Sequence, residues 1–146
     1  MDRDAEALPL LLTLSSGVKG FTTIHAGSAR QALTRLRFIC QLAETSSDLP
    51  LTALNALVSE SIDLVVHCAR GAEGPRVTEV VAVEDLAAGP DSAQLTVTDL
   101  FARPAPDEPL QWTGNLPVRS GRALRQAGYD PRTLLDPSHR RDEAGT

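Results

Sequence analysis

A short segment that ends in a histidine, residues 21–25, constrains the fold of this chain most strongly. Its Thr and Ile residues favour a buried β-strand. A turn of small residues follows, and Ser28 can then cap a helix. This order of strand, turn and helix predicts that His25 lies at the carboxyl end of a strand, which is where open α/β sheets bind ligands.

One strand of this parallel type cannot form a doubly wound sheet by itself, because it needs neighbouring strands on both edges. The sequence therefore predicts an α/β fold that is the second half of a larger domain. We expect three main helices around one core strand, then an antiparallel strand meander and a small C-terminal helix. The predicted helices span 5–16, 29–44, 51–61 and 119–128, and the later strands span 62–69, 76–83, 94–101 and 110–112.

Composition limits the classes of partner. The 146 residues carry a net charge of −5, so no global basic field attracts nucleic acid or an anionic membrane. Hydrophobic residues make up 42% of the chain but aromatic residues only 3%, so we expect a core of Leu, Val, Ala and Ile. In the last helix, Ala123, Leu124 and Ala127 are predicted to face inward.

The cysteines and the N-terminus indicate a cellular compartment. Cys40 and Cys68 lie in apolar contexts, which predicts two buried thiols in a reducing environment. They are too few for a zinc site, and we expect no metal. The N-terminus lacks the pattern of a signal peptide, and the longest apolar run, residues 8–14, is too short to span a bilayer. The chain is therefore expected to be cytoplasmic, with no transmembrane segment.

Residues 22–36 (TTIHAGSARQALTRL) resemble the His box and following helix of the type II/IV secretion-system ATPases. The similarity is greatest to the CpaF/TadA branch of that family. Further segments resemble the same family in the same order, and they are residues 2–8, 49–51, 62–67, 76–80 and 113–117.

The resemblance implies a RecA-like hexameric ATPase that uses ATP and Mg²⁺ to power secretion or Tad/Flp-type pilus assembly. It makes His25 a sensor of the γ-phosphate and puts the hydroxyls of Thr22 and Thr23 near the nucleotide. The implied partners are full-length ATPase subunits and inner-membrane platform proteins, with no nucleic acid. Residues 1–101 are then a partial ATPase core, 102–136 a linker with a short strand and helix, and 137–146 a disordered tail.

Departures from the family pattern suggest that the chain is inactive alone. The sequence contains neither the Walker A lysine nor the Walker B carboxylate, so we expect no bound cofactor outside a complete ATPase. Val18 stands where the family often has a histidine, and it can donate no hydrogen bond. Glu6 and Arg3 match residues beyond the Walker B strand, but plain charges at a helix start explain them equally well.

Several alternatives remain open on the sequence alone. The chain is either part of an ATPase or a stand-alone module that packs on full-length ATPase subunits as a regulator. A third hypothesis is an unrelated small hydrolase that uses His25. Arg30 and Arg35 either contact a phosphate or neighbouring subunit or form a solvated helix face. Structural roles are favoured for His67 and Trp112, and nothing in the spacing supports a metal site from His25, His67 and Asp63.

Overall fold

The computed structural model describes residues 6–43, 48–87 and 94–139. Within these residues the fold is mixed α/β, with helices and a four-stranded antiparallel sheet, as predicted at that level. The helices are α1 (Ala7–Ser15), α2 (Ala29–Leu42), α3 (Leu51–Ser61), α4 (Arg119–Gln126) and α5 (Pro131–Leu135). The strands are β1 (Leu64–Gly71), β2 (Gly74–Val83), β3 (Val97–Ala102) and β4 (Gln111–Trp112).

The described residues form two compact units. The helical unit contains α1, α2 and α3, with residues 85–87 and 94–96. The sheet unit contains the four strands together with α4 and α5. The predicted domain boundaries at 101 and 136 refer to the organisation of a longer protein and stay a prediction.

Aliphatic packing of three short helices builds the helical unit. Each helix turns one apolar face inward, because apolar residues recur at helical spacing. Pro9 is tolerated inside α1 because it is the third helical residue, whose N–H would have no acceptor within the helix. The buried side chains that form this core include Leu8, Leu11, Leu33, Leu36, Leu54 and Val58.

Polar contacts also connect the helices of this unit. The single proton of the Ser61 hydroxyl, at the end of α3, is shared between the backbone carbonyls of Leu57 in the same helix, at 2.6 Å, and of Leu11 in α1, at 2.8 Å. The Arg37 guanidinium on α2 donates to Oδ1 of the buried Asn55 on α3 at 3.0 Å. Each contact gives a buried polar side chain a partner on another helix, so it couples the two helices that it joins.

The core strand predicted over residues 21–25 does not form in this chain. Residues 18–26 adopt no regular secondary structure, and the Phe21 side chain is fully exposed. A central strand needs hydrogen-bonding neighbours on both edges, whereas the four described strands pair with one another and none pairs with this segment. The helical unit is therefore a packing of three helices without the strand they were expected to surround.

The sheet follows the predicted meander. Its strand order is β1-β2-β3-β4 with antiparallel pairing throughout. The β1–β2 connection closes between Gly71 and Gly74, and the φ of +115° at Gly74 is one that other residues rarely adopt. A turn predicted at residues 89–91 and most of the predicted disordered tail, residues 140–146, lie outside the described residues.

A buried carboxylate anchors the first C-terminal helix. Glu84 lies just after β2, and its two oxygens accept the backbone N–H groups of Val118 at 3.0 Å and Arg119 at 2.8 Å. These groups begin α4 and have no acceptor within the helix, so the carboxylate caps it and also complements its dipole. Glu84 therefore ties the end of β2 to the start of α4.

The predicted inward face of α4 is only partly right. Leu124 is half-buried, but Ala123 and Ala127 are exposed, and the buried residue of the helix is Gly121. A Cβ at Gly121 would lie 3.6 Å from Cγ of Pro131, the first residue of α5. The helix is thus rotated so that its smallest residue meets α5, a contact that the spacing of apolar residues could not indicate.

Candidate functional site

The predicted site residues lie on the irregular segment that leads into α2. Ser28 is the N-cap of α2, and its hydroxyl accepts the backbone N–H of Gln31 at 3.1 Å. The Gln31 side chain reaches back and accepts the N–H of Gly27 at 3.1 Å. These reciprocal bonds are close to a capping box, and they fix the path of the chain two residues after His25.

His25, Thr22 and Thr23 are all exposed to solvent. The structure therefore brings the three predicted side chains onto one accessible stretch, immediately before the start of α2. An exposed imidazole and two hydroxyls can donate hydrogen bonds to a phosphate, but they cannot cradle one as successive backbone N–H groups of a glycine-rich loop do. On their own these residues can contribute to a phosphate site without completing one.

The charged candidates stay spread over the helical unit. Arg30 and Arg35 are exposed on α2, which fits either a solvated face or a surface for a phosphate or a neighbouring subunit. Glu6 is exposed at the N-cap of α1, where its carbonyl accepts the N–H of Leu10, and Arg3 lies outside the described residues.

The predicted structural role of His67 is confirmed. Its Nδ1 hydrogen-bonds the hydroxyl of Thr78 on the neighbouring strand, and that hydroxyl also contacts the His67 carbonyl at 3.2 Å. The pair lies at an irregularity of the β1–β2 ladder, between His67 and Cys68. Across the part of the chain that the structure describes, no group of three or more His, Cys, Asp or Glu side chains could hold a metal ion.

The two cysteines differ in environment, contrary to the prediction that both are buried. Cys40 lies in the core of the helical unit, and burial raises the pKa of its thiol. Cys68 is exposed on β1. Successive side chains of a strand point to opposite faces, and β1 is an edge strand whose face bearing Leu64, Val66 and Cys68 is exposed.

This difference predicts selective thiol labelling. At neutral pH an aromatic disulfide reagent should modify Cys68 at least about tenfold faster than Cys40, because reaction at Cys40 requires the core to open. The measurement is the time course of released thiol in native buffer and in urea. Cys68→Ser should remove the fast phase and Cys40→Ser should keep it; the reverse pattern would contradict the burial of Cys40.

Part of the chain is similar to a conjugal transfer protein and to a type IV secretion system protein. It is 39% identical over 83 residues to the conjugal transfer protein TrbB of Rhizobium radiobacter, which covers 56% of this chain and 24% of that protein. It is also 41% identical over 71 residues to the type IV secretion system protein PtlH of Bordetella pertussis, which covers 48% of this chain and 21% of PtlH. No family model matches the chain.

The chain therefore spans about a quarter or less of the length of the curated relatives it matches. Over the matched part of the chain, these similarities show a relation to type IV secretion-system proteins. They confirm the predicted link to secretion machinery for that part. Among the described residues, none of the helices has both the length and the apolar character needed to cross a membrane.

Proposed function

We propose that this chain is the C-terminal portion of a secretion or pilus-assembly ATPase of the CpaF/TadA type. In the complete protein, ATP hydrolysis would power type II/IV secretion or Tad/Flp-type pilus assembly. The support is twofold: the identity to TrbB and PtlH, and the ordered series of family-like segments from residue 2 to residue 117. In this proposal the chain alone hydrolyses no ATP.

The exposure of Phe21 is the observation that carries the proposal. A Phe in a segment of strand-forming residues normally enters a core, because burying such a side chain contributes about 1.5–3 kcal/mol. Here it is fully exposed, and the segment around it forms no regular structure. A segment with this composition is suited to pair with strands that are not among the described ones, such as those of an upstream ATPase core.

Pairing of that kind would give His25 its role. As part of a sheet, residues 21–25 would end at the carboxyl edge, and His25 would face the terminal phosphate of ATP. The imidazole would donate one hydrogen bond to a γ-phosphate oxygen, and Thr22 and Thr23 would supply hydroxyls beside it. ATP with Mg²⁺ supplies the phosphoryl group, while the cradle, the lysine and the catalytic carboxylate would come from the upstream core.

The same proposal assigns the partners and the location. The chain would contact full-length ATPase subunits in a hexamer and platform proteins at the cytoplasmic face of the inner membrane. The net charge of −5 agrees with protein partners rather than nucleic acid. None of the 146 residues needs to enter the membrane for this role.

A fusion tests the proposal directly. The segment of TrbB that matches this chain is replaced by this sequence, and conjugal transfer is measured in a strain that lacks TrbB. We expect the fusion to restore transfer, whereas the 146-residue protein alone restores none and shows no ATP turnover. TrbB rejoined to its own segment at the same junction is the control. ATP turnover by the isolated chain, or failure of the fusion beside a working control, would refute the proposal.

A second candidate function is a stand-alone module that regulates full-length ATPase subunits. It is favoured by the apolar side chains Phe21, Phe38 and Leu42, which are all exposed in the helical unit and are suited to pack on another protein. Co-purification of the 146-residue protein with a full-length homologue from the same cells, with reduced activity of that homologue, would favour this function over the first.

A further inference from the structure

The sheet unit contains a groove that the proposed function does not use. It has a volume of about 570 Å³, within the range of sites that hold small ligands or peptide side chains. Residues from the end of the meander form one side, and residues at the end of α5 form the other. Its lining includes Phe101, Leu110, Trp112, Leu134, Leu135 and Asp136.

Most of the groove is apolar, with two aromatic rings. Phe101 on β3 and Trp112 on β4 are directly opposite each other in the antiparallel ladder, so their side chains lie on the same face of the sheet. The indole Nε1 of Trp112 donates to the Asn115 carbonyl at 2.9 Å, which fixes the ring. Aromatic faces attract apolar groups and also cations.

Asp136 is the one charged residue among the lining residues, all of which are described. Its Oδ1 accepts the backbone N–H of Ser138 at 2.9 Å, and its Oδ2 lies 4.0 Å from Nε2 of His139. The hydrogen bonds from Ser138, followed by the charges of His139 and Arg132, lower the pKa of Asp136. The carboxylate is therefore ionised at neutral pH, and two oxygens can accept more hydrogen bonds than these contacts use.

We propose that this groove binds a peptide segment in which an arginine or lysine adjoins an aliphatic residue. The aliphatic side chain would lie against Trp112 and Leu135, and the cation would pair with the Asp136 carboxylate. Charge complementarity selects this occupant, because the lining residues include one carboxylate and no cationic side chain, which disfavours phosphate, nucleic acid and anionic lipid headgroups. The inference is independent of the secretion ATPase proposal.

The single tryptophan of the chain makes the test direct, because Trp112 lines the groove and its fluorescence reports occupancy. The probe is acetyl-Leu-Arg-amide, titrated into the full 146-residue protein. Acetyl-Leu-citrulline-amide has nearly the same shape without the charge, and acetyl-Leu-Glu-amide reverses it. We expect saturable binding of the arginine peptide, binding about tenfold weaker for citrulline, and none for the glutamate peptide.

Two variants test which carboxylate pairs with the arginine of the peptide. Asp136→Asn keeps an acceptor for the Ser138 N–H and should weaken the arginine peptide about tenfold while leaving the citrulline peptide unchanged. Asp107→Asn removes an exposed carboxylate that does not line the groove and should change neither affinity. Equal binding of arginine and citrulline peptides by the unchanged protein, or no saturable binding, would overturn the proposal whether or not the variants fold.

Discussion

Alanine at His25 is expected to reduce conjugal transfer about 100-fold when this chain is fused to the upstream part of TrbB. Loss of one hydrogen-bond donor from the charge that develops during a reaction typically lowers rates by about 10²–10³. In the proposed arrangement His25 donates that hydrogen bond to the γ-phosphate, so removal of the imidazole should have an effect of this size. The measurement is transfer frequency at matched protein level.

Two controls distinguish the proposed phosphate contact of His25 from a structural role: the stability of the His25 variant and substitution of a different exposed histidine. His25 is exposed, so His25→Ala should change the free energy of unfolding of the isolated chain by less than about 0.5 kcal/mol. His139 is a second exposed histidine, and His139→Ala in the fusion should leave transfer unchanged. Transfer that survives His25→Ala would remove the imidazole from the mechanism and leave only the relation to secretion proteins.

Local signals in the sequence predicted the helices and the meander well. Ser28 marks the start of α2 because its hydroxyl satisfies a backbone N–H that the helix cannot, and the structure shows that bond. The change from helical to alternating spacing after residue 61 marks β1, and Gly71 with Gly74 closes the hairpin. Each of these features depends on a few neighbouring residues, so the sequence alone was sufficient.

Features that depend on distant partners were missed. The composition of residues 21–25 favours a strand, but a strand exists only where another backbone accepts its hydrogen bonds. Alternation along β1 could not say which of its faces is covered, and so Cys68 was wrongly expected to be buried. The helix α5 was missed although a signal was present, since Asp130 caps it and Pro131 occupies its first turn.

The two candidate sites, His25 and the groove of the sheet unit, also differ in whether the sequence alone could reveal them. His25 could be named from sequence because its neighbours in the chain carry the resemblance. The groove could not, because its walls come from three places in the chain, residue 101, residues 109–112 and residues 134–137, that only the folded sheet unit brings together. The indole of Trp112 donates to the Asn115 carbonyl, but its position in a groove is a property of the tertiary structure that the sequence does not indicate.

Alanine at Leu11 is expected to lower the free energy of unfolding of the helical unit by about 3 kcal/mol. Leu11 is 0% exposed in the centre of the three-helix core, and Leu→Ala at such sites removes buried methyl groups and leaves a cavity. The carbonyl of Leu11 also accepts the Ser61 hydroxyl, so collapse of α1 around the cavity would strain that contact. Urea unfolding followed by far-ultraviolet circular dichroism measures the change.

The adjacent residue offers a matched control within the same helix. Leu12 is 55% exposed, so Leu12→Ala has the same chemistry and nearly the same helix propensity but should cost less than about 1 kcal/mol. A difference of about 2 kcal/mol or more between the two variants is therefore expected. Equal costs would mean that Leu12 is as buried as Leu11 in solution, through self-association or a different packing of α1, and would refute the arrangement of the three-helix core.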